Sequence, residues 1–373
     1  MPSNPTLTQL ISDIAALETL PCAPEAVVVD DGIFLGVDGT NVLVIQTVIG
    51  LLNRSPSVKL AWSLASLKVF QTSPSAFPLL ACLVFHSNTL HTLETGQPFP
   101  LKAIRNKIHQ TRLRFDWFSA PQSLLCADHL GLGRQKELYQ SPIASGIRPR
   151  EHFETLVFPY IESQLAISVT EGKAFKWGAA LTSIIFELFE NTDLHGKTDW
   201  SGKVIQNSIR GLVFKDSLIN PYQSTGSSKK PMRCLEIGVF DAGVGYFCKS
   251  RKMPLTKDVT LEDEWRTLHL CLSTHLEDGL TPNFDKGQRG IGLYEVLRAL
   301  KFLEGAIEFR TGRLHAYRSF LPGDLRVQME PKESVRPNMP KPKLLDLSRK
   351  FLAIPTEHAA SAGSAVRVLI PVF

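Results

Sequence analysis

Four short blocks of glycine and polar residues follow one another in the second half of this chain, and their order constrains its fold more than any other feature. The first reads Glu187-Leu-Phe-Glu-Asn191-Thr-Asp-Leu-His195-Gly196. At 3.6 residues per turn, Glu187, Asn191 and His195 share one helix face at i, i+4 and i+8, while Ile185, Phe186 and Phe189 can pack inward. The second block, Phe240-Asp241-Ala-Gly243-Val-Gly245, closes the apolar strand expected over Arg233 to Phe240. The third, Lys286-Gly287-Gln-Arg289-Gly290-Ile-Gly292-Leu293, leads into a helix expected over Ile291 to Phe302. The last is Gly363-Ser364, directly before a strand at Ala365 to Val372.

The chemistry of these blocks fits together. A carboxamide oxygen such as that of Asn191 suits magnesium, which takes few protein ligands and completes its octahedron with phosphate oxygens and water. A carboxylate one turn earlier, Glu187, can orient or deprotonate an attacking water. A buried carboxylate at a strand end, Asp241, can accept a hydrogen bond from the exocyclic amine of adenine, and glycines beside it let the backbone approach where a Cβ would clash. Glycines leading into a helix N-terminus form an anion site from free N–H groups and the helix dipole. His195 has a second reading, as a helix C-cap beside Gly196.

This order resembles the GHKL family, whose Bergerat fold is shared by gyrase, heat-shock chaperone, histidine-kinase and mismatch-repair ATPases. The resemblance covers roughly residues 151–373 and implies a Bergerat-type α/β sandwich, a mixed sheet with helices on one face, binding ATP and Mg. It implies that Asn191 holds the magnesium, Asp241 reads adenine, and Gly243 and Gly245 line the base pocket. Gly287, Gly290 and Gly292 would wrap the phosphates with Lys286 and Arg289 beside them, and Ser364 belongs to the closing block. Glu187 stands where gyrase-like and chaperone members keep their hydrolytic glutamate, and residues 246–286 would form the ATP lid. The spelling E-x-x-x-N-x-x-x-H-G is also similar to anti-sigma-factor kinases. The stretch 312–362 is long for the pattern, and no histidine-kinase phosphoacceptor box is present.

Two other motifs fail on their own chemistry. Asn191 to Thr198 spells N-x-x-x-x-G-K-T, but a P-loop needs glycine in place of Asn191 so that the backbone can curl round phosphates. Val37-Asp38-Gly39-Thr40 has Gly36 where a phosphatase nucleophile would stand.

A length of 373 residues favours two domains. A smaller N-terminal α/β domain is expected over 1–130, resembling STAS-type regulatory domains in its order of elements or serving as a sensor or docking unit. A glycine-rich linker at 131–150 separates it from 151–373. In the N-terminal part, helices are expected near Leu7 to Leu17 and Asn41 to Leu52. Strands are expected at Ala26 to Leu35 about Asp30-Asp31-Gly32, at Val58 to Leu64 and at Leu67 to Phe70. The net charge of +5 comes without a dense basic stripe, so nucleic acid is not the expected partner. The six cysteines show no C-x-x-C pair, and the longest apolar run, Phe77 to Phe85, is too short to span a bilayer. These features point to a cytoplasmic protein with reduced thiols. The expected activity is a nucleotide-dependent switch acting on a protein partner, with ATP-dependent homodimerisation as in many relatives. A serine or histidine protein kinase acting in trans, or a non-catalytic ATP-gated module, are the alternatives.

Overall fold

Two sheets organise the chain in a computed structural model, which describes residues 5–12, 24–30, 41–54, 57–70, 77–86, 89–112, 122–127, 138–140, 146–165, 171–206, 208–219, 231–272, 292–321, 344–347 and 353–372. The smaller sheet is parallel, in the order β1 (Ala26–Val29), β2 (Lys59–Trp62), β3 (Leu90–Leu93). Around it lie α1 (Leu7–Ser12), α2 (Val42–Arg54), α3 (Leu64–Phe70), α4 (Phe77–Phe85) and α5 (Leu101–Arg112). Leu67 to Phe70, expected as a strand, is instead the end of α3. Ser63 sets that helix off by accepting the Ser66 N–H at 2.9 Å, an N-cap that outweighs the β-leaning valine and phenylalanine.

The larger sheet has seven strands: β4 (Gln122–Ala127), β5 (Ile209–Ile219), β6 (Met232–Asp241), β7 (Ala306–Gly312), β8 (Leu314–Ser319), β9 (Leu345–Asp346) and β10 (Ser361–Pro371). Their order is β4-β5-β6-β10-β7-β8-β9, and every pairing is antiparallel, where a mixed sheet was expected. The reason is topological: β7 and β8 form a hairpin, and the last strand inserts between β6 and β7, running against both. β4 lies ahead of the 131–150 stretch in sequence, yet it pairs with β5 across Gln122–Ala127.

The expectation of helices on one face is also corrected, since helices cover both. One face carries α6 (Arg150–Leu165), α7 (Glu171–His195), α9 (Leu261–Cys271) and α10 (Gly292–Phe302), against Leu212, Ile237, Val239 and Val368. The other face, with Leu125, Val213, Phe240 and Ala365, is buried with residues of α2 and α4 in one continuous core. α2 approaches β6 so closely that a Cβ on Gly238 would overlap Val42. Gln46, also on α2, is 1% exposed and donates to the carbonyls of Arg310 and Ala362, each at 3.2 Å. A short helix, α8 (Gly245–Arg251), completes the described set.

The expected strand at 204–214 begins later, at Ile209, because the Asp199 carboxylate closes a turn on the N–H groups of Ser201 and Lys203 at 2.8 and 2.9 Å. Of the expected lid, 246–272 is folded as α8 and α9, with Trp265, Leu268 and Leu272 in the core. A capping box between Thr260 and Asp263 starts α9. Residues 273–286 of that lid and the second strand expected before Leu35 lie outside the described residues. Among the described residues no helix is long and apolar enough to cross a membrane.

The α2–sheet contact gives a direct test. Gly238→Ala should destabilise by about 1–3 kcal/mol through overpacking against Val42. Adding Val42→Ala should recover part of that loss in a double-mutant cycle read by urea unfolding.

Candidate functional site

The site is built round one buried carboxylate. β6 ends at Asp241, 8% exposed, and glycines from three separate places leave it room. A Cβ on Gly196, just past α7, would lie 2.7 Å from the Asp241 Cβ. One on Gly243 would lie 2.8 Å from Asp241 Oδ1 and 2.8 Å from the Gly196 Cα. Gly363, in β10 at φ +68°, would drive a Cβ into the Asp241 carbonyl oxygen. Only glycine meets both the φ and the proximity there. Gly196 has no positive φ, so it serves close approach rather than the left-handed C-cap its place after His195 suggests.

The Gly243 N–H donates to Asp241 Oδ1 at 2.8 Å, and the Ser364 N–H also donates to this carboxylate. Burial pushes the Asp241 carboxyl up to about 6; the two N–H donors and the charge of Arg210 act against that rise.

Asp241 faces a cavity of about 290 Å³, at the small end of the range of roughly 300–1,000 Å³ for ligand sites. α7 lines it with Glu187, Asn191 and His195, the face expected from helical spacing. Gly245 opens α8 at φ +80° and lines the cavity, as do Gly292 at the start of α10 and Ser364 of β10. Gly243, expected to line the pocket, instead abuts Asp241 and Gly196 and is not part of the cavity lining. Gly287, Arg289 and Gly290 lie outside the described residues.

A Cβ on Gly292 would collide with the Glu187 carboxylate, so glycine lets the first turn of α10 reach α7. Burial raises the Glu187 pKa, and the charges of Glu190 and Glu295 add to the rise while that of Arg150, 4.0 Å away, opposes it. This is the direction that makes a carboxylate a better proton acceptor near neutral pH. The Asn191 Nδ2 is buried with no hydrogen-bond partner among the described residues, so no bond within the fold uses that donor. One carboxamide beside one carboxylate is the sparse donor set that magnesium accepts when phosphate and water fill its other positions. Among the described residues no group of three or more His, Cys, Asp or Glu side chains could hold a metal.

No protein family, curated protein or solved structure matches the chain. What the site can do therefore has to come from its residues. Sequence reasoning missed two cations, Lys249 and Lys252, which line the same cavity. Lys249 lies one turn after Gly245 on α8, and Lys252 is the left-handed residue that caps that helix. Lys249 also donates to the carbonyls of Thr198 and Asp199, at 3.4 and 3.1 Å, which fastens α8 to the turn after α7. Behind the cavity, Arg210 of β5 is fully buried and bonds Tyr139 and Asp193. Burial works against ionising Asp193, but hydrogen bonds from Lys197 and Tyr139 and the charge of Arg210 outweigh it and hold its carboxyl below the usual range.

The cavity thus has an acceptor-bearing wall at Asp241, cations on α8 and a helix N-terminus opposite. It suits a ligand with a hydrogen-bond donor at one end and negative charge at the other. The buried Asp241 carboxylate should cost stability at neutral pH. Its folded pKa, about 6, lies above the ordinary 3.8, so stability is held at low pH and lost as pH rises through 6. Asp241→Asn, whose amide oxygen can still accept from Gly243, should stabilise the unliganded protein by on the order of 1–3 kcal/mol at pH 7.5. The gain should vanish near pH 4; urea unfolding at the two pH values checks it.

Proposed function

We propose that the chain binds ATP with magnesium in the cavity beside Asp241 and hydrolyses it as a Bergerat-fold, GHKL-type ATPase that switches a protein partner. One observation carries this reading. Residues from four blocks far apart in sequence (Glu187 and Asn191, Asp241 and Gly245, Gly292, Ser364) line a single cavity.

In this reading Asp241 accepts from the adenine amino group, and the backbone N–H of Ser364 keeps its carboxylate oriented. Asn191 would hold magnesium through its carboxamide oxygen, and the ion's contribution is to neutralise phosphate charge. Lys249, Lys252 and the N-terminus of α10 add positive potential for the same phosphates. Glu187 accepts a proton from water as the water oxygen attacks the γ-phosphorus, and the bond between that phosphorus and the departing ADP oxygen breaks. Its burial and the like charge of Glu190 favour the proton-accepting role.

Calorimetric titration with ATP and magnesium, followed by phosphate release, tests this. Wild type should bind and turn over. Asn191→Ala should lose about tenfold or more of its magnesium-dependent affinity. Glu187→Gln should keep binding while turnover falls by about 100-fold. Binding with no turnover in wild type would transfer the proposal to phosphate transfer onto a protein or to an ATP-gated module, and no binding would end it.

A further inference from the structure

We propose that Arg210 is a positioning residue of this site: opposite Asp241 in the sheet, and held by Tyr139 and Asp193, it keeps Asp241 a hydrogen-bond acceptor and locks α7 and residues 138–140 to it. The proposal concerns a residue outside all four sequence blocks. Only its binding arm rests on the nucleotide reading.

Arg210 and Asp241 are direct cross-strand partners in the β5–β6 ladder, so their side chains leave the same face with Cβ atoms about 5 Å apart. The guanidinium is not exposed at all. Its Nε and Nη2 donate to the Tyr139 hydroxyl at 3.0 and 2.5 Å, and Nη2 donates to Asp193 Oδ1 at 3.1 Å. The Tyr139 hydroxyl in turn donates to the same Asp193 oxygen at 2.6 Å, and Lys197 reaches it at 2.7 Å. Arg210 and Lys197 thus both reach Asp193 in this network, and the guanidinium that it helps to hold stands across the ladder from the buried Asp241, whose ionised form its charge favours.

The bonds to Tyr139 and Asp193 are what let a fully buried arginine stand here. A buried guanidinium is costly unless its partners satisfy its hydrogen bonds and its charge. Asp193 lies two residues after Asn191 on α7, so the same bonds set the rotation of the cavity-lining helix face. Tyr139 comes from the segment that leads from β4 towards α6, and its bonds bind that segment to the back of the site. Among the described residues the other titratable or charged groups round the cavity are Glu187, Glu190 and His195 from α7, Tyr246, Lys249 and Lys252 from α8 and its cap, and Cys271 from α9. All of them remain in the variants below, and none is the strand partner of Asp241. β10 contributes only Ser364 and Val366 to the cavity, and α10 only Gly292 and Leu293.

The test needs no ligand at first. Thermal unfolding from pH 4 to 9 is measured for wild type, Arg210→Met, Arg210→Lys and Tyr139→Phe, each with and without Asp241→Asn. The difference between members of a pair isolates the Asp241 titration, which in wild type should begin near the ordinary 3.8 and have its upper end, set by the folded carboxyl, near 6. Arg210→Met should move that end up by about one pH unit or more, Arg210→Lys should restore most of the shift, and Tyr139→Phe should give a smaller displacement. An upper end left unmoved in Arg210→Met, or in Tyr139→Phe should the methionine variant not fold, overturns the proposal.

Titration of ATP with magnesium supplies the second arm. Relative to wild type at the same pH, Arg210→Met should bind about twofold more weakly at pH 7 for a one-unit shift of Asp241 and about tenfold for a two-unit shift, and should regain most of that by pH 9. A deficit that stays constant with pH overturns the proposal. Absence of ATP binding in wild type would sink the nucleotide reading instead and leave the unfolding arm to decide on Arg210.

Discussion

Keeping one carboxylate out of water at the end of β6 dictates much of the surrounding structure. A buried Asp241 needs N–H donors and a nearby positive charge, and it needs neighbours that occupy little space. The donors come from Gly243 and Ser364, and the charge from Arg210 across the ladder. The space comes from Gly196, Gly243 and Gly363. Those demands place the end of α7, the turn after β6 and the irregularity between Ser361 and Ser364 in β10 around a single point. The cavity is what remains once these backbones have converged.

A second constraint comes from the reverse face of the sheet. Phe240 and Ala365 alternate with the site-facing Asp241 and Ser364 and point the other way, into the core shared with α2. Gln46 bonds the carbonyl of Ala362, one residue before Gly363. The wall of the site and the N-terminal helix are thus two sides of one strand.

How much of this could be read from the chain depends on how local each cause is. The α7 face was legible because Glu187, Asn191 and His195 obey the helical period, and Asp241 because it closes an apolar run followed by glycines. The role of Gly196 was not legible, since a glycine after a helix looks the same whether it supplies a left-handed turn or a close approach, and only the position of Asp241 separates the two. The antiparallel order was not legible: β10 pairs with β6 more than a hundred residues earlier, and no local pattern encodes that partnership. Arg210 and Tyr139 were missed for the same reason, because a buried arginine is defined by partners from distant segments. The helix over Leu64–Phe70 could have been recovered from Ser63 and Ser66, whose capping bond is local.

The strand β4 and the helix α2 also bear on where such a chain can be divided. A fragment beginning at residue 131 would lack the strand that pairs with β5 and the helix that covers β6 and β10. It would present an open ladder of backbone donors and acceptors beside a bare apolar face that includes Val213, Phe240 and Ala365, the combination from which aggregates grow. The glycine-rich stretch at 131–150 reads as a linker in the sequence, yet β4, which precedes it, pairs with β5, which follows it. The half that carries the site and the N-terminal half would have to be inherited, expressed and degraded together.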